Sequence, residues 1–294
     1  MTDKKQASFI TITSFLKGIG QIMLQNNAWT GLFFLAGIFC GSLIMGAAAL
    51  LAVIAGTLTA KLFKYNEDEV NTGLYGFSAT LVGVALVVYF QPTPITWLAI
   101  IPGSILATVI QHFFITKKIP VYTLPFILVT WAFLFMQCHS HLLSEPEPAA
   151  TGTMISNIFT VLPRGFGQVI FQGNILAGVL FFIGVFIGRP VAAMYAVTGV
   201  FLSSVIAYLL GSSLPDIYMG LLSYNAVLCA ITFSGKKLND IVFAIVSVVL
   251  SVLIDIQMSK MRLPVLTFPF VLATWLTLII RFVLRPKTKP STSF

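Results

Sequence analysis

The chain has 294 residues, of which 57% are apolar and only 9% are charged, with a formal net charge of +8 and three cysteines. A soluble domain carries roughly 25% charged residues, so this composition excludes an ordinary soluble domain and predicts an all-α polytopic membrane protein. With about 20 residues per span, the length provides about ten spans. The basic residues are scattered singly and in pairs, which argues against a nucleic-acid partner.

The first segment of the chain is polar and punctuated by glycines, unlike an ordinary span. Residues 18–31 read GIGQIMLQNNAWTG, and the pattern returns at 165–178 as GFGQVIFQGNILAG. Broken backbone at membrane depth persists only where protein or a water-filled cavity satisfies its hydrogen bonds. We therefore predict a short re-entrant helix at the start of each half, with Gln21 and Gln168 facing a pore. The alternative is that both glutamines only hydrogen-bond neighbouring helices.

Five spans are predicted to follow each re-entrant segment, because long stretches of each half lack charged residues. The halves are then residues 1–137 and 155–294, joined by a linker at 138–154. The spans are expected at about 28–45, 46–62, 74–90, 95–115 and 121–137, and at about 175–188, 190–209, 219–234, 240–257 and 264–281.

Basic residues alternate between equivalent loops of the two halves. The loop at 61–73 contains two lysines and its counterpart at 211–218 has none, whereas 91–94 has none and 235–239 has two. Cytoplasmic loops carry the excess of Lys and Arg, so we expect inverted repeats with both termini cytoplasmic and a periplasmic linker. Three of the seventeen basic residues then lie outside: Arg164, Lys260 and Arg262.

A second repeated motif closes each half, as IPVYTLPF in the first and LPVLTFPF in the second. Proline has no N–H, so Pro125 and Pro269 are expected to interrupt their helices and free nearby carbonyls. Thr123 and Thr267 precede these prolines by two residues, and inversion would bring their hydroxyls together near the midplane. The alternative is that each threonine only satisfies its own interrupted helix.

A third repeated motif reads LYGFSATLVG in the first half and LLSYNAVLCA in the second. It aligns Phe77 with Tyr224 and Leu81 with Leu228. The aromatic and the leucine are four residues apart and so share one helix face. Such a pair is more often ordinary packing, and only its repetition makes it a candidate pore lining.

Reactive clusters are absent from the sequence. No Walker motif, nucleophile elbow or metal-ligand spacing occurs, which predicts neither an enzyme nor a cofactor or metal site. A proton relay needs ionisable groups in series, and Asp255 is the only carboxylate well inside an apolar run. His112 lies near a span end and is expected to be a hydrogen-bonded packing residue. Asp255 leaves an ion-coupled secondary transporter as one alternative; a channel for ammonium or another small neutral solute is another.

The three repeated motifs resemble those of the urea transporter family of bacteria and vertebrates, over about residues 9–284. The resemblance implies two inverted repeats of five transmembrane helices, each with a re-entrant element. It also implies a homotrimer in the bilayer of a bacterial inner membrane, with a pore in each protomer that conducts urea by facilitated diffusion.

The resemblance also implies which residues line that pore. Gln21 would contact urea at the outer mouth and Gln168 at the inner mouth, aromatic and leucine faces would form flat slots, and the threonines would flank a narrow middle site. Two residues depart from the family pattern, since Leu24 occupies the position that matches Phe171, and Tyr224 replaces a phenylalanine. The implied lining is Gln21, Leu24, Phe77, Leu81, Thr123, Gln168, Phe171, Tyr224, Leu228 and Thr267.

Overall fold

The computed structural model describes residues 12–140, 143–144 and 157–284, so most of the predicted linker at 138–154 lies outside the described residues. Within these ranges the chain is helical and contains no strand, which confirms the predicted all-α class. Four helices are long and apolar enough to cross a membrane, and a bent pair of helices provides a fifth candidate span.

The described residues of the first half, from residue 12 onward, form seven helices. A short helix ends in a 3-10 turn, and two longer helices, a one-turn helix and three further helices follow. Their bounds are α1 Ile12–Gly20, α2 Ala28–Gly41, α3 Leu43–Leu62, α4 Glu67–Asn71, α5 Phe77–Tyr89, α6 Pro94–Thr116 and α7 Leu124–Ser140.

The second half repeats the first helix for helix. Each of the ten predicted spans overlaps a helix, and four of these helices have the length and hydropathy of a full span, so the number of ten spans stays a prediction. The bounds are α8 Ile158–Gly167, α9 Ile175–Gly188, α10 Pro190–Leu209, α11 Leu214–Tyr218, α12 Tyr224–Thr232, α13 Leu238–Lys260 and α14 Phe268–Val283.

Two predicted spans, at 74–90 and 219–234, begin too early. The helices start only at Phe77 and Tyr224, because a tight turn at Gly73 and Gly220 precedes each one, with φ of +81° and +74°. A Cβ on Gly73 would lie 2.3 Å from the backbone nitrogen of Gly18. Glycine adopts this conformation without steric cost, and only glycine permits this close approach of the segment around Gly18.

The turns of the two halves match as closely as the helices do. Every described residue with positive φ has a partner of positive φ at the equivalent position of the other half. The duplication therefore extends to the strained points of the backbone, where non-glycine residues are uncommon. The five pairs are Leu24 with Phe171, Lys64 with Gly211, Gly73 with Gly220, Lys118 with Arg262, and Tyr122 with Leu266.

Equivalent helices α2 and α9 pack against each other in the middle of the molecule. Thr30 Oγ1 donates a 2.7 Å hydrogen bond to the carbonyl of Gly184, and the rings of Phe34 and Phe181 meet edge to face at 5.3 Å. Gly37 lies against Phe181, as a Cβ there would be 2.5 Å from its ring. As the residue numbers of the contacts increase along α2, those of their partners decrease along α9, so the two helices are antiparallel.

A second pair of contacts joins the ends of the two halves. Trp131 Nε1 donates to the carbonyl of Pro264 at 2.9 Å, and Trp275 Nε1 donates to the carbonyl of Pro120 at 2.7 Å. Trp131 and Trp275 are equivalent residues, as are the two prolines. Reciprocal contacts of this kind are the signature of a two-fold relation.

The exposed surface of the long helices is apolar. Their most hydrophobic windows are only 33–50% buried within the protein. An exposed apolar surface of this extent is unfavourable in water and favourable in a bilayer.

Candidate functional site: a cavity between the two halves

The two glutamines of the first motif make the same hydrogen bond in each half. Gln21 Nε2 donates to the carbonyl of Thr72 at 3.0 Å, and Gln168 Nε2 donates to the carbonyl of Met219 at 3.1 Å. The bonded carbonyl belongs in each half to the residue before the turn glycine. The expectation of a hydrogen bond to a neighbouring segment is confirmed for the amide N–H, and a second role at a pore stays a prediction.

The Gly-rich segments that open the two halves owe their shape to the residue after each 3-10 turn. Leu24 and Phe171 adopt the left-handed conformation, with φ of 60° and 57°. The asparagine three residues later, Asn27 or Asn174, caps the next helix by accepting two backbone N–H bonds. In the second half the chain bends by 79° between Ile158–Ile170 and Ile175–Gly188. These contacts explain why the motif contains asparagine.

The two threonines of the second motif meet where the halves join. Thr123 Oγ1 and Thr267 Oγ1 are 2.7 Å apart, and the side chains are 2% and 3% exposed. The predicted juxtaposition of the hydroxyls is therefore confirmed. The preceding residues, Tyr122 and Leu266, have φ of 49° and 47°, and this strained turn aims each threonine at the other.

The prediction that proline interrupts a span in this motif is wrong. Pro125 and Pro269 are the second residues of α7 and α14, where the missing N–H would have no helical partner in any case. A left-handed turn therefore precedes each helix, and neither helix is kinked at the proline of this motif.

A cavity of about 670 Å³ opens beside the threonine pair. Four of the predicted lining residues contribute to its wall, and all four belong to the second half: Gln168, Phe171, Tyr224 and Thr267. The cavity therefore connects the glutamine of the first motif with the threonine of the second.

The wall of this cavity is not built by the second half alone. The ring centroid of Phe171 lies 6.1 Å from that of Tyr89 and 6.2 Å from that of Phe126, both in the first half. Tyr89 also lines the cavity. Tyr89 lies outside the three repeated motifs, so no repeat marks it as a lining residue.

The four apolar residues of the predicted lining that are outside the cavity wall lie in the main hydrophobic core or against it. Leu81 and Leu228 are both 0% exposed, and Phe77 is 6% exposed. Leu24 is half-buried and packs against the same core. Their positions are those of packing residues in this structure, and their contact with a solute stays a prediction.

A polar network that the motifs did not indicate surrounds the carbonyl of Leu266. The Tyr224 hydroxyl donates to this carbonyl at 2.7 Å, and Asn225 Nδ2 donates to it at 3.3 Å. Asn225 Nδ2 also donates to Asp255 Oδ2 at 2.9 Å. Asp255 is 2% exposed and lines the cavity.

The equivalent network in the first half is smaller. Ser78 and Gln111 occupy the positions of Asn225 and Asp255, and Ser78 Oγ donates to Gln111 Oε1 at 3.4 Å. Phe77 stands in place of Tyr224 and has no hydroxyl. The carboxylate and the phenol are therefore features of one half only.

His112 lies away from this cavity. Its Nδ1 is 2.9 Å from the hydroxyl of Tyr75, and its ring stacks on that of Tyr65 at 3.6 Å. Its predicted role as a hydrogen-bonded packing residue is confirmed. In the described ranges no three His, Cys, Asp or Glu side chains lie close enough to hold a metal ion.

Comparison with known proteins gives one consistent result. A family model described as "Urea transporter" matches residues 12–282. Urea transporter 1 of Rattus norvegicus is 25% identical over 290 residues, which cover 90% of this chain and 76% of the relative. Urea transporter 1 of Ovis aries is 25% identical over 305 residues, which cover 95% of this chain and 79% of the relative.

Proposed function

The chain belongs to the urea transporter family and transports urea, and we propose that urea passes passively through the cavity at the junction of the two halves. The observation that carries this proposal is the contact between Thr123 and Thr267, which lies where the second-half cavity meets the first half. As a member of a transporter family the chain is proposed to have no enzymatic activity.

The chemistry of the cavity suits a flat, neutral solute with many N–H donors. Phe171, Tyr89 and Tyr224 provide aromatic faces in the cavity wall. Selectivity of a pore depends on its width and on the groups that line it. A hydrated cation would lose water that aromatic faces do not replace, and desolvating a charge costs far more than desolvating a neutral amide.

The threonine pair leaves hydrogen-bonding capacity for urea. A hydroxyl has one donor and two acceptor sites, so two hydroxyls have two donors and four acceptors. The bond between Thr123 and Thr267 uses one of each. About one donor and three acceptor sites then remain at the narrowest point for the N–H and C=O groups of urea.

The path on either side of the pair follows the repeated motifs. We propose that urea enters at Gln168, passes Phe171 and Tyr224, crosses the threonine pair and leaves past Gln21. Leu24, Phe77, Leu81 and Leu228 would support the slot walls in the two halves. Weak binding at several points in succession is what rapid facilitated diffusion requires.

We further propose that the halves, residues 1–137 and 155–294, are inverted repeats of five spans and a re-entrant segment each. The antiparallel packing of the equivalent helices α2 and α9 supports this, because a two-fold axis relating them must lie across the helices and so in the membrane plane. The alternation of basic loops supports it independently. The 670 Å³ cavity with Gln168 then opens outward and Gln21 faces the cytoplasm, which reverses the two mouths that the family resemblance implied.

The assembly and location that follow are also proposals. The exposed apolar faces of the long helices support contact with lipid and with other copies in a homotrimer. The distribution of basic residues supports a bacterial inner membrane with cytoplasmic termini and a periplasmic linker at 138–154.

The burial of Asp255 in the cavity wall is the one observation that favours ion-coupled transport over passive transport. A buried carboxylate in the cavity wall is the kind of group that ion-coupled transporters use. Passive transport predicts that urea flux into proteoliposomes, followed by stopped-flow light scattering, is unchanged by protonophores and sodium ionophores. Flux that collapses when the ion gradients are dissipated would favour coupling through Asp255 instead.

A further inference from the structure

A second cavity, of about 270 Å³, lies on the exposed surface of the second half. It is a groove between α10 and α13, with one residue of α12 at its base. Its wall is almost entirely apolar: Met194, Tyr195, Thr198, Gly199, Leu202, Ala230, Ile241, Ala244, Ile245 and Val248. None of these residues belongs to the urea path described above.

Both helices that form the groove begin at the same end of it. The lining residues of α10 and α13 fall within about the first four turns of each helix. Immediately before these helices stand three exposed basic residues, Arg189, Lys236 and Lys237. The groove therefore begins under a cluster of positive charge and continues as an apolar channel.

Hydrogen bonds hold the basic loop over the end of the groove. Arg189 Nη2 donates to the carbonyl and the hydroxyl of Ser234 at 3.3 and 3.2 Å. The hydroxyl of Tyr195, a groove residue, donates to the carbonyl of Gly235 at 2.9 Å. The Arg189 guanidinium and the backbone of the basic loop are thus held relative to the apolar wall.

The local charge remains positive when the neighbouring acidic residue is counted. Asp240 lies in the first turn of α13, and its carboxylate is 3.8 Å from Arg281. Its Oδ2 also accepts the backbone N–H of Lys237 at 3.1 Å, so Asp240 belongs to the basic cluster. Four basic residues, with Arg281 included, less one carboxylate leave a net charge of +3 there.

The length of the groove matches one leaflet. The α10 lining residues lie four to twelve residues after Pro190, which corresponds to about 6–18 Å along the helix. Half of the hydrocarbon core of a bilayer is about 15 Å thick. A chain that begins at the basic end would reach the far end of the groove near the bilayer centre.

We propose that this groove binds an anionic phospholipid, with the headgroup phosphate at Arg189, Lys236 and Lys237 and one acyl chain along α10 and α13. Basic sites between helices at a membrane surface bind anionic headgroups in this way. The loop-charge topology assigns the site to the cytoplasmic leaflet, and that assignment alone rests on the proposed inversion.

The first half provides an internal comparison. Ser42 stands at the position of Arg189, and the turn at 91–94 contains no basic residue. The equivalent place in the first half therefore lacks the headgroup site. The repeat predicts one anionic lipid site per chain rather than two.

Lipid binding is measured by native mass spectrometry of the whole protein in mild detergent, titrated with phosphatidylglycerol or phosphatidylcholine. We expect tighter binding of phosphatidylglycerol. The double variant Lys236→Gln/Lys237→Gln should weaken it about tenfold, since each basic residue near a membrane surface contributes appreciably to anionic lipid binding. Binding of phosphatidylcholine should change little.

A matched control removes the same charge elsewhere. Lys117 and Lys118 are adjacent and exposed at the end of α6, and Lys117→Gln/Lys118→Gln should leave phosphatidylglycerol binding within about twofold of the parent. Thr198→Trp adds a ring to the groove at an exposed position and should weaken the binding of both lipids.

Three results would overturn the proposal. The first is equal affinity of the parent for the two lipids. The second is an equal loss of phosphatidylglycerol binding in the control double variant. The third is unchanged lipid binding in Thr198→Trp together with a changed oligomer mass, which would assign the groove to a second copy of the chain. Urea flux does not enter any of these readouts.

Discussion

The two halves of this transporter have the same backbone conformation but differ in the polar groups around the threonine pair. The carbonyl of Leu266 receives hydrogen bonds from Tyr224 and Asn225. Tyr122 has the same left-handed conformation in the first half, but there Phe77 has no hydroxyl to donate to its carbonyl. A repeated backbone therefore does not guarantee repeated hydrogen bonding, and the halves can bind the same solute unequally.

The difference has a consequence for urea. A carbonyl that already accepts two hydrogen bonds has little capacity left for another donor, since a carbonyl oxygen has two lone pairs. We expect urea N–H groups to bind more weakly beside Leu266 than beside its equivalent, Tyr122. The two sides of the threonine pair would then contribute unequally to the barrier, although the threonines themselves are equivalent.

The largest expected effect concerns orientation, because inverted halves expose equivalent residues on opposite sides of the membrane. Lys117 and Met261 are equivalent, exposed and similar in backbone conformation. With the exposed Cys40 and Cys138 replaced by alanine, Lys117→Cys should react with an impermeant maleimide only from the cytoplasm and Met261→Cys only from outside.

Ser144→Cys serves as a reference in the same background, since Ser144 is exposed and lies in the linker. It should react from outside. Labelling of Lys117→Cys and Met261→Cys from the same side would show parallel repeats and contradict the proposed topology.

The next effect is on stability and tests the unequal polar networks. Asp255→Leu removes the acceptor of Asn225 Nδ2, and an unsatisfied buried donor costs about 1–3 kcal/mol. Gln111→Met makes the equivalent change in the first half, where the bond from Ser78 is longer, at 3.4 Å, and should cost less. Thermal unfolding in detergent measures both. Equal losses of stability would mean that the two networks are energetically alike.

The threonine pair should show the opposite behaviour, namely equality. Thr123→Val and Thr267→Val preserve volume but delete a hydroxyl, and a lost hydrogen bond of about 0.5–1.5 kcal/mol would slow urea flux roughly two- to tenfold. Flux per folded protein in proteoliposomes is the measurement, and the two variants should be impaired to a similar degree.

Thr277→Val is the matched control for this pair. Thr277 is buried in α14 and donates to the carbonyl of Ala273 in its own helix. Its loss should lower stability slightly without changing flux. Unchanged flux in both pore variants would remove the threonines from the path.

The smallest expected effect comes from making the second half resemble the first. Tyr224→Phe removes the stronger of the two hydrogen bonds to Leu266 and returns acceptor capacity to that carbonyl. We expect urea flux to rise roughly two- to fivefold, which corresponds to about 0.5–1 kcal/mol at the barrier. Stopped-flow flux measures this change.

Tyr195→Phe is the control. The Tyr195 hydroxyl also donates to a backbone carbonyl, that of Gly235, but it does not line the 670 Å³ cavity. The substitution should leave flux unchanged. A decrease of flux in Tyr224→Phe would mean that the phenol itself assists urea rather than competing with it.

Structural features that depend on motifs repeated in both halves could be predicted from the sequence. The helix order, the all-α class and the meeting of Thr123 with Thr267 follow from apolar segments and motifs that recur in equivalent positions. Composition alone determined that these helices need an apolar solvent, because so few residues are charged.

Features that belong to one half only were decided by the tertiary structure. Tyr89 meets Phe171 across the junction of the halves, and Asp255 reaches Asn225 from another helix. No repeat or spacing marks these contacts, since they depend on how helices distant in sequence pack together. The sequence by itself determined the helices and the equivalence of the two halves. Only the packing of the helices decided which backbone carbonyls already accept a hydrogen bond and which could accept one from urea, because a hydrogen bond requires its donor and acceptor to be close in space.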